Sequence, residues 1–365
     1  GTAGGDSASF GFSSSEAGSA FECSLDGAPF VGCASPKDYA GLSDGSHTFR
    51  VRATDQAGNT DSTPAERTWT VDAASVLMAA GNIACNATVT STTKCQERAT
   101  SDLLVSEGPD AVLPLGDNQY ECGSLSDFSK YYGRSWGRMK AITRPIVGNH
   151  EYSTSSNTAN PCYNAPSGAP GYFQYFGAAA SPTEPGCVVN CKGYYSYDLG
   201  SWHIVALNSV CIQVGGCGKG SPQEVWLRND LAAHKNQCTL AYWHYPRFSS
   251  SESGSTYTSY LSALWQDLYD AKVEVVLNAH DHVYERFAPM DTAGNVDQTN
   301  GVRQFTVGTG GKSHHSFKSI HPNSEVRNSG TFGALKMTLR PSGYDWKFLP
   351  VAGKTFTDSG SQSCH

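Results

Sequence analysis

Leu113-Pro114-Leu115-Gly116-Asp117-Asn118-Gln119-Tyr120 is an apolar run that breaks at a glycine into an Asp-x-x-Tyr loop. Residues 112–115 read as a short buried strand, and Gly116 lets the chain turn where a side chain would obstruct it. A carboxylate and a phenol then stand three residues apart, just past the carboxyl end of that strand. Ligand sites of α/β sheets form at such ends. Gly-Asp-Asn is also ordinary turn chemistry, so the loop gains meaning only from its company.

The same design recurs. Pro145-Ile146-Val147-Gly148 leads into Asn149-His150-Glu151, and Leu240-Ala241-Tyr242-Trp243 into His244-Tyr245-Pro246-Arg247. Residues 273–279 lead into His280-Asp281-His282, and residues 75–81 into Asn82. Oxygen and imidazole donors without thiolate suit hard or borderline ions such as Fe, Mn, Zn or Mg. An aspartate can bridge two of them.

These blocks carry a resemblance. Gly81-Asn82-Ile83-Ala84, Gly-Asp-Asn-Gln-Tyr at 116–120, Gly-Asn-His-Glu at 148–151, Trp243-His244 and Ala-His-Asp-His at 279–282 resemble the five ordered blocks of the purple acid phosphatases, a branch of the calcineurin-like metallophosphoesterases. The likeness spans roughly residues 75–350, and the tyrosine of the second block distinguishes this branch. Two positions depart from the pattern: Asn82 stands where the family has Asp, and Ala279 where it has Gly. Ala279 is expected to be a tolerated packing change. Asn82 matters more, because an amide oxygen is a neutral and weaker ligand.

With 365 residues, the chain is long enough for two domains and a sizeable core in the larger one. Charged residues make up only 16% and the net charge is −7, so no nucleic-acid partner is expected. No apolar run approaches the ~18 residues needed to span a membrane. Twelve cysteines imply an oxidising, secreted or cell-surface setting. Local disulfides are expected for Cys23 with Cys33, Cys85 with Cys95, Cys187 with Cys191 and Cys211 with Cys217, leaving Cys122, Cys162, Cys238 and Cys364 to pair over longer range. No C-x-x-C pair supports a zinc-thiolate site.

Residues 1–72 alternate with period two between turns such as Leu25-Asp26-Gly27 and Gln56-Ala57-Gly58-Asn59. They predict a small all-β sandwich that resembles immunoglobulin-like modules of bacterial secreted enzymes, with a spacer or surface-adhesion role and contact with a cell surface or polymer. Asp72-Ala73-Ala74 would link it to a catalytic domain at 73–365. From Val76 onward strands alternate with helices. Helices are predicted over 96–106, over 221–234 behind the capping box Ser221-Pro222-Gln223-Glu224, and over 260–271. A hairpin turns across Pro341-Ser342-Gly343. This order fits an α/β fold with helices outside two β-layers, the four-layer α/β/β/α sandwich that the resemblance implies. Asn86-Ala87-Thr88 has the spacing of an N-glycosylation acceptor and reads as a loop.

The resemblance further implies a binuclear centre: Asn82, Asp117, Tyr120 and His282 around one ion, Asp117, Asn149, His244 and His280 around the other, with Asp117 bridging. Phenolate favours Fe(III) beside Tyr120; the second ion would be divalent Fe, Zn or Mn. A metal-activated hydroxide would attack a small phosphate monoester, Asn149, His150, Tyr245 and Arg247 would contact it, and His150, tuned by Glu151, would protonate the leaving group. A phosphodiesterase on the same site, or a phosphate- or surface-binding protein weakened by Asn82, are the alternatives. His47, His203, His234, His321 and His365 read as structural, and Tyr284-Glu285-Arg286 as a salt-bridged loop support.

Overall fold

The structure, a computed structural model, describes residues 7–43, 45–71, 74–86, 94–235, 238–252 and 259–365. The linker residues Asp72 and Ala73, and Ala87 and Thr88 of the acceptor triplet, lie outside the described residues. The chain divides into two compact units, Gly1–Ala74 and Ser75–His365.

Alternating sequence makes the first unit all β. Strands β1 (Ala8–Phe10), β2 (Ala20–Leu25), β3 (Val31–Cys33), β4 (Lys37–Tyr39), β5 (Gly45–Thr54) and β6 (Ala65–Val71) form a β1-β4 pair and a β3-β2-β5-β6 sheet. Phe49 and Val51 of β5 point inward two residues apart, and Phe10 stacks on Phe49 at 4.3 Å. The Cys23–Cys33 disulfide closes the β2/β3 hairpin.

The second unit holds two mixed sheets. One runs β18-β17-β16-β7-β8, from β7 (Ser75–Ala80), β8 (Ala111–Pro114), β16 (Gly333–Arg340), β17 (Gly343–Pro350) and β18 (Ser359–Ser363). The other runs β15-β13-β14-β12-β11-β10-β9, from β9 (Tyr195–Leu199), β10 (Trp202–Ala206), β11 (Thr239–Tyr242), β12 (Val275–Asn278), β13 (Tyr284–Phe287), β14 (Arg303–Val307) and β15 (Ser324–Asn328). The pairings β7 with β8, β10 with β11, β11 with β12 and β12 with β14 are parallel. Of these strands, β8, β11 and β12 are buried throughout and mainly apolar, as expected where both faces of a strand are covered. Large side chains fill the gap between sheets: Trp202, Tyr284 and Phe305 pack on Tyr344, Phe348 and Trp346 at 5.7, 4.7 and 5.6 Å.

Helix α1 (Glu97–Glu107) lies against β16, with Arg98 and Asp102 ion-paired on its exposed face. Short helices α2 (Leu125–Lys130) and α3 (Pro170–Phe176) pack together through Phe128, Tyr172 and Phe176. Helices α4 (Pro222–Ala233) and α5 (Ser262–Asp270) pack on one another. Ser221 caps α4 by accepting from the Glu224 N–H, as the capping box predicts. Helix α5 is shorter than its periodicity suggests, and Ala271 lies exposed beyond it. The 145–148 run is no full strand; it touches Leu115 through a single bridge at Ile146. Six disulfides use every cysteine, the four local pairs as expected and Cys122–Cys162 and Cys238–Cys364 across longer spans. Arg286 pairs with Glu325 and Asp358, the loop support anticipated for it.

Glu274, buried just before β12, accepts from the Thr239 and His365 N–H groups, yet burial pushes its pKa up to about 7. A carboxyl raised in this way destabilises the native state increasingly as pH climbs from its unfolded value to about 7, and fully above that. Glu274→Gln should leave thermal stability unchanged near pH ~4 and raise it at pH ~8 by about 1–3 kcal/mol. Parallel melting-temperature profiles for parent and variant across that range would overturn this account.

Candidate metal centre

Four of the five polar blocks follow the carboxyl ends of parallel strands from both sheets and the Asn149 block follows the bridge at Ile146, and backbone bonds stitch those ends together. The Gly81 N–H at the end of β7 donates to Val307 O at the end of β14 (2.8 Å). Asn82 and Ile83 donate to Gly116 and Asp117 carbonyls, and Ala279 to His244 O (3.0 Å). Asn82, Asp117 and His280 all adopt left-handed backbone, with φ of 58°, 48° and 63°. Each such turn costs about 1–2 kcal/mol in a residue with a Cβ. Strained residues of this kind cluster where a side chain must be aimed.

Asp117 is the hub. Its Oδ2 accepts from the Tyr120 hydroxyl (3.0 Å), while Oδ1 accepts from the His150 N–H (2.9 Å) and lies 3.3 Å from His244 Nε2. Around Tyr120 Oη are Asn82 Nδ2 at 2.7 Å and His282 Nε2 at 3.1 Å. On the other side, Asn149 Oδ1 is 3.1 Å from both His244 Nε2 and His280 Nδ1. The seven expected ligands therefore form two donor groups that share one carboxylate.

The protonation pattern suits a cation. His244 Nδ1–H donates to Leu115 O (2.8 Å) and His282 Nδ1–H to Ser313 O, so each ring turns its Nε2 toward the centre. Metal-binding histidines are commonly oriented this way by a carbonyl. Burial opposes charge on His244, but the Asp117 carboxylate and the Leu115 carbonyl raise its pKa. Burial and His244 push the His280 pKa well down, and burial with His315 takes His282 to about 3, leaving both imidazoles neutral. Burial opposes charge on Asp117, but His244 and His150 hold its carboxyl well below the usual range. Ligand atoms of Asp117, His244 and His280 within 4.8 Å of one another, with the buried Asn82 Oδ1 lacking a partner, make a donor set that fits metal ions.

Two glycines are dictated by contact. A Cβ on Gly116 would stand 2.6 Å from His244 Nδ1, and one on Gly148 only 2.2 Å from Asp117 N. Ala279 is tolerated because its neighbour Gly81 lacks a Cβ, which would lie 2.4 Å from that of Ala279.

Glu151 departs from expectation. Its carboxylate turns into the core and accepts four backbone N–H groups: Asp117 (3.1 Å), Asn118 (2.7 Å), Gln119 (3.1 Å) and Gly148 (2.7 Å). It clamps two ligand loops together rather than tuning His150. Burial and the Asp117 charge raise its pKa to about 7. His150 is instead held by Glu121, whose carbonyl accepts from Nδ1–H (2.7 Å). Glu121 carries no motif, so nothing in the sequence marks it. His315 stacks on His282 at 3.9 Å, and Tyr245 walls the centre 4.5 Å from His280. Arg247 donates to Thr292 O (3.3 Å) and lies over the Phe248 ring.

A second group, Asp198, His203 and His234, brings its ligand atoms within 4.8 Å of one another. It is unsuited to an ion. The two imidazoles stack 3.7 Å apart and nearly parallel, so their in-plane lone pairs cannot converge, and Asp198 and Asp230 occupy both His203 nitrogens. Structural roles for His203 and His234 accord with this.

Glu151→Gln introduces N–H groups where four donors already converge, and metal affinity should fall about 10- to 100-fold, as for other groups that orient ligands. Titration with Zn(II) followed by calorimetry would read this directly, and parent-like affinity would refute the clamp. Asn82→Asp should act oppositely, tightening metal binding by adding a charged donor; unchanged affinity would show that Asn82 is no ligand.

A family model described as calcineurin-like phosphoesterase matches residues 93–284, a little over half of the chain. An uncharacterized protein of Mycobacterium tuberculosis is 27% identical over 206 residues, covering 49% of this chain and 37% of its own length. Purple acid phosphatase 15 of Arabidopsis thaliana is 27% identical over 212 residues, covering 50% and 37%. The chain thus spans well under two thirds of these relatives. Among solved structures, a purple acid phosphatase from yellow lupin (Lupinus luteus) seeds shares the fold with a TM-score of 0.62 at 16% identity, covering 99% of this chain and 73% of that one. This chain belongs to the calcineurin-like phosphoesterase family, with homologues among the purple acid phosphatases.

Proposed function

We propose that the protein hydrolyses phosphate monoesters at a binuclear centre. The observation that carries this reading is the division of labour on Asp117, whose two oxygens face two separate donor groups. Asn82, Tyr120 and His282 would hold Fe(III) on one side of Asp117. Asn149, His244 and His280 would hold a divalent ion, Fe, Zn or Mn, on the other. When bound, such a pair supplies Lewis acidity toward a phosphoryl oxygen and lowers the pKa of a bound water into the useful range.

The chain's own residues do the rest. The Asp117 carboxylate, kept ionised by its histidine neighbours, sets the spacing of the centre. Asn149 and the His150 backbone fix the loop facing the substrate. The His150 imidazole is part-exposed, and its Nδ1–H is committed to Glu121 O, so Nε2 is the atom that hands a proton to the leaving alkoxide. Tyr245 forms one wall of the substrate pocket. For Arg247 to contact the phosphate, its guanidinium turns away from Thr292 O.

A second reading, a phosphate- or surface-binding protein of weakened activity, draws on one observation. Asn82 is neutral, and its amide points Nδ2 rather than oxygen at Tyr120. The first unit would serve as an immunoglobulin-like spacer or surface contact. Six disulfides support an extracellular, oxidising location. No helix among the described residues is long and apolar enough to cross a membrane.

His150→Ala should lower turnover of a chromogenic monoester by about 10²- to 10⁴-fold while metal content stays at two ions per chain. Loss of metal instead would make His150 a ligand. Faster hydrolysis of a diester than of the monoester would move the activity to phosphodiesterase, and no turnover of either would favour the binding reading.

A further inference from the structure

Two groups lie against the ring of Tyr120. The His150 imidazole sits 4.3 Å from it, centroid to centroid, and the Lys312 ammonium lies 4.3 Å from the ring centroid. Lys312 is anchored from both ends. Its backbone N–H donates to Asn82 O (2.9 Å), and its Nζ pairs with Glu121 Oε1. The Lys312 side chain is only 16% exposed. Glu121 therefore ties both neighbours of the ring, taking Lys312 with its carboxylate and His150 with its carbonyl. An ammonium partly withdrawn from water acts strongly on a nearby π system.

We propose that Lys312 is a positioning residue that sets the donor strength of the Tyr120 oxygen toward iron, an inference that rests on Tyr120 being the Fe(III) ligand. A positive charge over the ring lowers the energy of the electrons that a bound phenolate would share. Transfer of charge from phenolate to Fe(III) then requires more energy, and the ferric state is favoured less over the ferrous. On the potential alone, the neutral Asn82 acts in the same direction, since it contributes no negative charge to that ion. Lys312 and Asn82 together describe an iron site that is easier to reduce than one with a carboxylate at position 82 and no cation nearby.

The test uses the whole chain loaded with ferrous iron, oxidised in air, and matched for iron content. Lys312→Met should move the visible band to longer wavelength and lower the Fe(III)/Fe(II) midpoint potential, while Lys312→Arg stays close to the parent. Glu121→Gln, which removes the counter-ion and leaves the ammonium, should shift both readings the opposite way, and it serves should Lys312→Met fail to fold. A loss of packing alone would not produce shifts of opposite sign in the two variants. A band and a midpoint that stay put in both variants would overturn the role of Lys312 and leave iron on Tyr120 intact. Absence of any visible band in the iron-loaded parent would instead remove the iron–Tyr120 reading, and this proposal with it.

Discussion

A buried carboxylate that accepts four backbone N–H groups is the constraint on which the centre depends. Glu151 gathers donors from the loop after β8 and from the glycine before Asn149. Asp117 can then present one oxygen to Tyr120 and the other to His244 without either loop drifting. The arrangement is expensive in isolation, because the Glu151 charge is removed from water and lies near a second carboxylate, as its raised pKa reflects. Four hydrogen bonds to the charged form offset much of that penalty.

The same economy of space runs through the backbone. Left-handed turns at Asn82, Asp117 and His280 are unfavourable, but each swings a side chain from the end of a strand toward a common point. They persist because the strands beneath are fully buried and the loops are cross-bonded, Asn82 to Gly116 and Ala279 to His244. Gly116 and Gly148 then keep open the space that His244 and Asp117 occupy. Two sheets meeting at their carboxyl ends thus supply donors that neither could assemble alone.

Around this centre the histidines divide by what their second nitrogen touches. His244 and His282 each donate Nδ1–H to a backbone carbonyl and turn Nε2 inward. His203 gives both nitrogens to carboxylates and stacks on His234, which holds α4 against β9 and β10. One residue type faces the candidate metal centre in one place and serves as strut in another, and hydrogen-bond partners rather than proximity separate the two.

Much of the centre was legible in the residues themselves. Asn82, Asp117, Tyr120, Asn149, His244, His280 and His282 each follow a run whose apolar character marks a buried strand end or, at Asn149, a short bridging segment, and the resemblance of those ordered blocks to the purple acid phosphatases implied their grouping. The six disulfides were equally local for four pairs, where short spacing leaves little choice. What the tertiary structure alone decided is direction. Glu151 faces inward rather than toward its neighbour His150, and Glu121 and Lys312, 191 positions apart, meet beside Tyr120. Such pairings depend on where distant loops cross and on turns that strain the backbone, and neither is encoded in the composition or period of any one stretch.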